Sequence, residues 1–230
     1  MIFDLNNTTE FPDPRYGHPS GFYAVGGVLS PEQLIKAYPM GIFPYFAFRH
    51  EPTIWWAPQE RYVIYPDEIH ISHSMRNLMN KKKFTCTINE DFEGVISGCG
   101  YADGRMEEEW AWLGPELSEI WMELNRRGYA KSVEVWDENE YLAGGLYGFV
   151  CGGCFIGESM FSLEPNASKL ALIHLAGHMK KNGGAFIDCQ LKTAHLESMG
   201  ARYITYEEYL KKTTETTMIK WDDNEQNEIK

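Results

Sequence analysis

Apolar residues recur along the chain in two periods. Between Pro115 and Arg127 they fall at Leu117, Ile120, Trp121 and Leu124, the spacing of a helix with one buried face, and Gly128 ends it. From Phe84 to Ile88 and from Ser132 to Trp136 they alternate, as in half-buried strands. The longest patterned stretch is Gly157 to Gln190. A strand carrying Phe155, Ile156, Met160 and Phe161 leads through a loop to Asn166, which predicts an N-cap. The helix that follows has Leu170, Leu172, Ile173, Leu175, Ala176 and Met179 as apolar positions and closes on Lys180, Lys181 and Gly183. Ala185–Cys189 predicts the next strand. A helix crossing between two strands points to a βαβ unit and a parallel pair.

The remainder supplies a mixed sheet. Tyr141–Val150 predicts a strand weakened at Gly144-Gly145, where a bulge or a close ligand fits, and Gly152-Gly153 turns it into the strand ending at Phe161. Ile69-His70-Ile71 predicts a short strand, and Ser72 caps a helix to Asn80. A short helix is expected over 91–99 and a polar loop over 101–109. After Gln190 come a helix over 193–199, a strand over 201–205 and a helix over 206–212. Upstream of Arg61 the pattern differs. Residues 1–19 are polar with three prolines and predict an extended arm. Ser30-Pro31-Glu32-Gln33 predicts a helix start with a capping box. Gly41–Phe46 and Ile54–Pro58 are aromatic runs broken by proline, which excludes ordinary helices. They serve either as a small aromatic core or as a stacking platform for a nucleobase. The fold class is therefore α/β (α+β): an aromatic-rich N-terminal domain over 1–62, a larger domain over 63–212, and a loose, polar, acidic tail over 213–230.

Composition narrows the functions. A net charge of −12 argues against broad nucleic-acid binding while leaving room for a local basic patch. No apolar run is long enough for a membrane span, and the first residues lack a signal peptide's pattern. Five cysteines in no framework spacing point to a reduced, cytoplasmic protein. The 32 aromatic residues (7 Trp, 13 Tyr, 12 Phe) exceed a minimal core and point to an aromatic-lined pocket or a stacking surface.

Two carboxylates stand out. Glu158 follows an apolar pair and Asp188 lies within an apolar strand, where a charge must be paired or used. Cys151-Gly152-Gly153-Cys154 falls on a hairpin turn with no second CxxC, which favours structure over redox or zinc. His174 and His178 can share a helix face, but Leu175 stands where a zinc-protease helix needs Glu. The order hairpin, strand, helix, strand fits an acyltransferase sheet of the N-acetyltransferase (GNAT) type. Coenzyme A is disfavoured, because Ser162–Asn166 contains no glycine and Pro165 has no N–H to offer a pyrophosphate.

The chain resembles the leucyl/phenylalanyl-tRNA–protein transferases. The resemblance is carried by Gly41-Ile42-Phe43-Pro44, Trp55-Trp56, His70-Ile71-Ser72, Ser132–Trp136, Gly157–Ser162, Asn166–Lys169 and Ile187–Gln190, all in one order. It implies a GNAT-like C-terminal domain behind a small N-terminal one. It implies transfer of Leu or Phe, and less well Met, from aminoacyl-tRNA to proteins with N-terminal Arg or Lys, marking them for N-end-rule degradation. No metal or coenzyme is implied, and the family is usually monomeric. By resemblance, Asp188 and Gln190 form the catalytic relay and Glu158 pairs with the acceptor's cationic side chain. Leu146, Met160, Leu172, Leu175, Met179 and Ile187 match the donor side-chain pocket, and Tyr45 and Trp112 the adenosine site. Arg76, Lys81–Lys83, Arg126, Arg127, Lys180 and Lys181 are candidates for the acceptor stem. Tyr45, Leu146, Leu175, Trp121 and Lys131 depart from the best-known members, which have Trp, Met, Phe, Tyr and His there. The alternatives are a coenzyme A-dependent N-acetyltransferase and a non-catalytic binder of tRNA ends or basic N-termini.

Overall fold

The structure is a computed structural model that describes residues 1–46, 52–102 and 113–221. A four-stranded sheet occupies the N-terminal part: β1 (Phe3–Asp4), β2 (Phe22–Val25), β3 (Phe43–Phe46) and β4 (Ile54–Trp56), in the order β1-β2-β4-β3. The expected N-terminal arm packs against it. β1 pairs parallel with β2, Leu5 is buried, and the Tyr23 hydroxyl donates to the Pro12 carbonyl. Between β2 and β3 lies α1 (Pro31–Ala37), with Ser30 Oγ accepting from Gln33 N at 3.3 Å. Gln33 does not return the bond of a full capping box; its buried amide oxygen has no partner among the described residues.

The larger sheet is mixed and has seven strands: β5 (Glu60–Ile64), β6 (Thr85–Ile88), β7 (Ala130–Trp136), β8 (Leu142–Cys151), β9 (Cys154–Ser162), β10 (Phe186–Asp188) and β11 (Arg202–Thr205). Their order is β11-β5-β10-β9-β8-β7-β6. β6 to β9 are antiparallel, while β9 and β10 run parallel, joined by α5 (Ala167–Lys181). The expected crossover is therefore present. β5 spans position 62, so the two parts of the chain share this strand. They also share a core, which runs from Leu5, Tyr23 and Trp55 to Trp121, Phe149 and Phe161.

Helices α2 (His73–Asn80), α3 (Phe92–Ala102) and α4 (Pro115–Arg126) lie between β5 and β7 in sequence. α6 (Ala194–Ser198) precedes β11, and α7 (Tyr206–Glu215) follows it. α3 and α4 cover one face of the sheet with Val95, Ile96, Leu117, Trp121 and Leu124; α5 covers the other with Leu170, Leu172, Leu175 and Met179. The Ser132–Trp136 motif has a structural task. Buried Glu134 accepts from Ser132 Oγ, Thr87 Oγ1 and Glu90 N, fixing the loop ahead of α3.

Three further local expectations change. Ile69–Ile71 is not a strand; His70 N donates to the Met199 carbonyl, and no ladder forms around that bond. Asn166 does not cap α5, because it sits in the left-handed region at φ 72°. Ser162 Oγ does so instead, accepting from Ser168 N at 2.9 Å. The tail is packed as far as Trp221: α7 runs to Glu215, Ile219 is buried, and Trp221 stacks on His178. Two apolar residues thus dock a segment that its polar composition marked as loose. Among the described residues, no helix is long and apolar enough to cross a membrane.

Candidate active site

β9 and β10 part at the site. Their ladder ends at the pair Asp188–Ile156, after which β9 continues to Ser162 while Cys189 N turns to the Tyr62 carbonyl. The opening leads to a cavity of about 380 Å³, within the ordinary range for small-ligand sites. Leu146, Phe155, Met160, Leu172, Leu175 and Ile187 provide its apolar wall. Glu158, Gln190, Thr193 and His195 provide polar edges.

A bulge places Glu158. Across β8 and β9, Tyr147 pairs with Ser159 and Gly148 with Gly157, so Glu158 is the extra residue. The bulge also shifts the alternation of β9, which puts Phe155 and Met160 toward the cavity and Ile156 and Phe161 in the opposite core. Glu158 Oε2 accepts from the Tyr38 hydroxyl at 2.7 Å and from Gln190 Nε2 at 3.0 Å. Oε1 has no hydrogen-bond partner among the described residues. Burial pushes the Glu158 carboxyl up to about 7, against the opposing effect of those two hydrogen bonds. Burial also holds the Tyr38 phenol well above its usual range, so it remains a donor.

Asp188 is enclosed, with a relative exposure of 0%. Its Oδ2 is ion-paired with Arg61 Nη2, and its Oδ1 accepts from Gln190 N at 2.8 Å. Asp188 is among the residues that line the cavity, but both its oxygens are engaged by the protein, one of them by Gln190. Tyr38 and Arg61 escaped the sequence reading. The sequence did carry a sign of Arg61: a charge opening the buried run Arg61-Tyr62-Val63-Ile64 requires a buried partner. Tyr38 carried none, since it reads as an apolar helix-end residue before Pro39.

Of the six residues matched to the donor pocket, Leu146, Met160, Leu172, Leu175 and Ile187 line the cavity. Met179 is fully buried against Gly184 and is not part of the lining. Tyr45 packs on Trp56 in the N-terminal sheet, ring centroids 4.7 Å apart. Trp112 lies outside the described residues. Arg126 and Arg127 are ion-paired with Glu123 and Glu32, each at 2.7 Å. The Cys151 and Cys154 thiols lie at the β8–β9 turn, and burial raises both, the opposite of a reactive thiolate. Among the described residues, no three His, Cys, Asp or Glu side chains are grouped to hold a metal.

Comparison with known proteins adds a family. The profile described as leucyl/phenylalanyl-tRNA protein transferase matches residues 63–214, and that of its N-terminal domain matches residues 27–59. Relatives named leucyl/phenylalanyl-tRNA–protein transferase include one from Syntrophus aciditrophicus, 47% identical over 208 residues, covering 90% of this chain and 86% of the relative. Another, from Pseudomonas fluorescens, is 44% identical over 213 residues, covering 89% and 91%. A third, from Flavobacterium johnsoniae, is 47% identical over 200 residues, covering 87% and 93%. Among solved structures, L-PGS from Bacillus licheniformis matches with a TM-score of 0.42 and 12% identity, covering 76% of this chain and 55% of that one.

Proposed function

The chain belongs to the leucyl/phenylalanyl-tRNA–protein transferase family of aminoacyltransferases, and on that premise we propose that it moves Leu or Phe, and less well Met, from aminoacyl-tRNA to proteins with N-terminal Arg or Lys. The reading includes a monomeric, cytoplasmic enzyme that marks its products for N-end-rule degradation. One observation carries it: an apolar cavity whose mouth holds a carboxylate fixed by two hydrogen bonds.

An aminoacyl ester is already activated, so the protein's work is to position it and manage protons. In this reading the donor side chain enters the cavity among Leu146, Met160, Leu172, Leu175 and Ile187. The ester carbonyl then lies near Gln190 and Glu158 at the mouth. The acceptor's α-amine, with an ordinary pKa of about 7.7–8.0, attacks in its neutral form. A peptide bond forms, the ester C–O bond breaks, and the ribose oxygen leaves with a proton. Glu158 Oε1 faces the acceptor and pairs with its Arg or Lys side chain, which favours cationic over acidic N-termini. Asp188 and Gln190 act together, the first holding the second.

The test mixes purified protein with labelled Leu-, Phe- and Met-tRNA and peptides beginning with Arg, Lys, Asp or Ala. Transfer confined to Arg and Lys peptides, with Leu and Phe the better donors, is expected. Equal transfer to the Asp peptide would remove Glu158 from acceptor selection. No transfer from a folded protein would overturn the reading.

A further inference from the structure

Arg61 is among the most enclosed residues of the molecule, with a relative exposure of 0%. A charge in that position needs partners, and three parts of the chain supply them. Nη2 meets Asp188 at the end of β10. Nη1 donates to the Gly41 carbonyl at 2.7 Å, in the turn leading into β3. The guanidinium lies over the rings of Phe43 and Tyr209, 5.1 and 4.8 Å from their centroids. Burial opposes the Arg61 charge, and the Asp188 carboxylate together with Tyr209 and Tyr206 more than offsets it.

The chain of contacts continues to the cavity. Asp188 Oδ1 accepts from Gln190 N, and Gln190 sits at φ 58°. That left-handed conformation is uncommon for a residue other than glycine and persists where surrounding contacts impose it. From there the Gln190 amide reaches Glu158.

We propose that Arg61 is a positioning residue of the transfer reaction: by clamping Asp188 it holds Gln190 left-handed, and through Gln190 it fixes Glu158 at the cavity mouth. The inference rests on the function proposed above. A buried ion pair gains a fold little over apolar residues of similar size. What this pair supplies, and apolar residues cannot, is a rigid acceptor for Gln190 N.

The experiment compares the wild-type chain with Arg61→Met. Thermal unfolding establishes that the variant is folded. Amide exchange at Gln190, followed by NMR, reads the clamp without any turnover. Phe transfer to an Arg-start peptide reads its consequence. We expect Gln190 exchange to quicken by about tenfold or more and kcat to fall by about a hundredfold. KM for Phe-tRNA is expected to stay unchanged. Unchanged exchange at Gln190 overturns the inference, and so does wild-type kcat. If Arg61→Met does not fold, Arg61→Lys replaces it. Lys keeps the charge without the fork, and the same two readouts decide. Absence of transfer by the wild type would sink the proposed function, while Gln190 exchange would still judge the clamp.

Discussion

Burial raises the Glu158 carboxyl to about 7, outweighing the hydrogen bonds from Tyr38 and Gln190 that favour its charge. The ordinary value is 4.5. Between these two values the folded protein binds more protons than the unfolded chain, so stability falls as pH rises through the interval and levels off above it. Glu158→Gln should abolish this loss. Relative to wild type, the variant should therefore gain stability between pH 4.5 and 7, by on the order of 1–3 kcal/mol. Thermal unfolding across that range checks it; parallel curves for the two proteins would reject the shifted carboxyl. In the transfer assay, use of Arg-start peptides by wild type should rise through pH 7 as Glu158 ionises. The variant should lose the Glu158 part of that rise, keep the rise at about 7.7–8.0 that comes from the acceptor amine, and discriminate less between acceptors. Glu158 and Asp188 were legible in the sequence because each is an acid among apolar neighbours. Their different surroundings were not. Asp188 is enclosed by an arginine 127 positions away, and Glu158 is held by a tyrosine 120 positions away. No local pattern records either partner.

At the scale of elements, the bulge in β9 depends on glycine opposite it. A Cβ on Gly148 would lie 2.2 Å from the Ile156 carbonyl and 2.6 Å from the Phe155 ring. Neither the strand backbone nor the enclosed ring can yield cheaply. Gly148→Ala should cost about 2–3 kcal/mol and disturb Glu158 with it. Gly177, within α5, has nothing within 4 Å of an added Cβ. The same change there should stabilise by about 0.5–1 kcal/mol, since it only removes glycine's entropic cost. Urea unfolding of the pair gives the two signs; destabilisation at both positions would reject this account. The sequence points to a bulge or close approach at Gly144-Gly145 of β8, whereas the β8–β9 register shifts between Tyr147 and Gly148, with the extra residue in β9. It could not show which residue was extra, since period alone does not assign a register. The βαβ crossover was legible because its helix carries a long apolar face and a basic, glycine-closed end. Sequence proximity points to Asn166 as the cap of α5, whereas the accepting group lies on the preceding strand at Ser162.

At the scale of the whole molecule, the chain's last described segment braces the cavity wall from behind. Ile219 N donates to the Gly152 carbonyl at the β8–β9 turn, and His178 Nε2 hydrogen-bonds the Lys220 carbonyl at 3.1 Å. The Trp221 ring lies against Phe155, which lines the cavity, at 5.9 Å between centroids. Charge and polarity after Thr213 concealed this, because a few apolar residues in a polar segment scarcely alter its average. The shared core between the two sheets was equally hidden, since aromatic runs broken by proline reveal burial without naming what they pack on. Ending the chain after Thr216 keeps that residue's bond to Gly153 N but removes Ile219 and Trp221. Loss of their packing should lower stability by about 2–4 kcal/mol. Phe155 would also lose a ring that restrains it. A looser wall should discriminate less between donors of different shape, so the ratio of kcat/KM for Leu-tRNA and Phe-tRNA should move toward unity. Measured below the unfolding range, an unchanged ratio would confine the segment's role to stability.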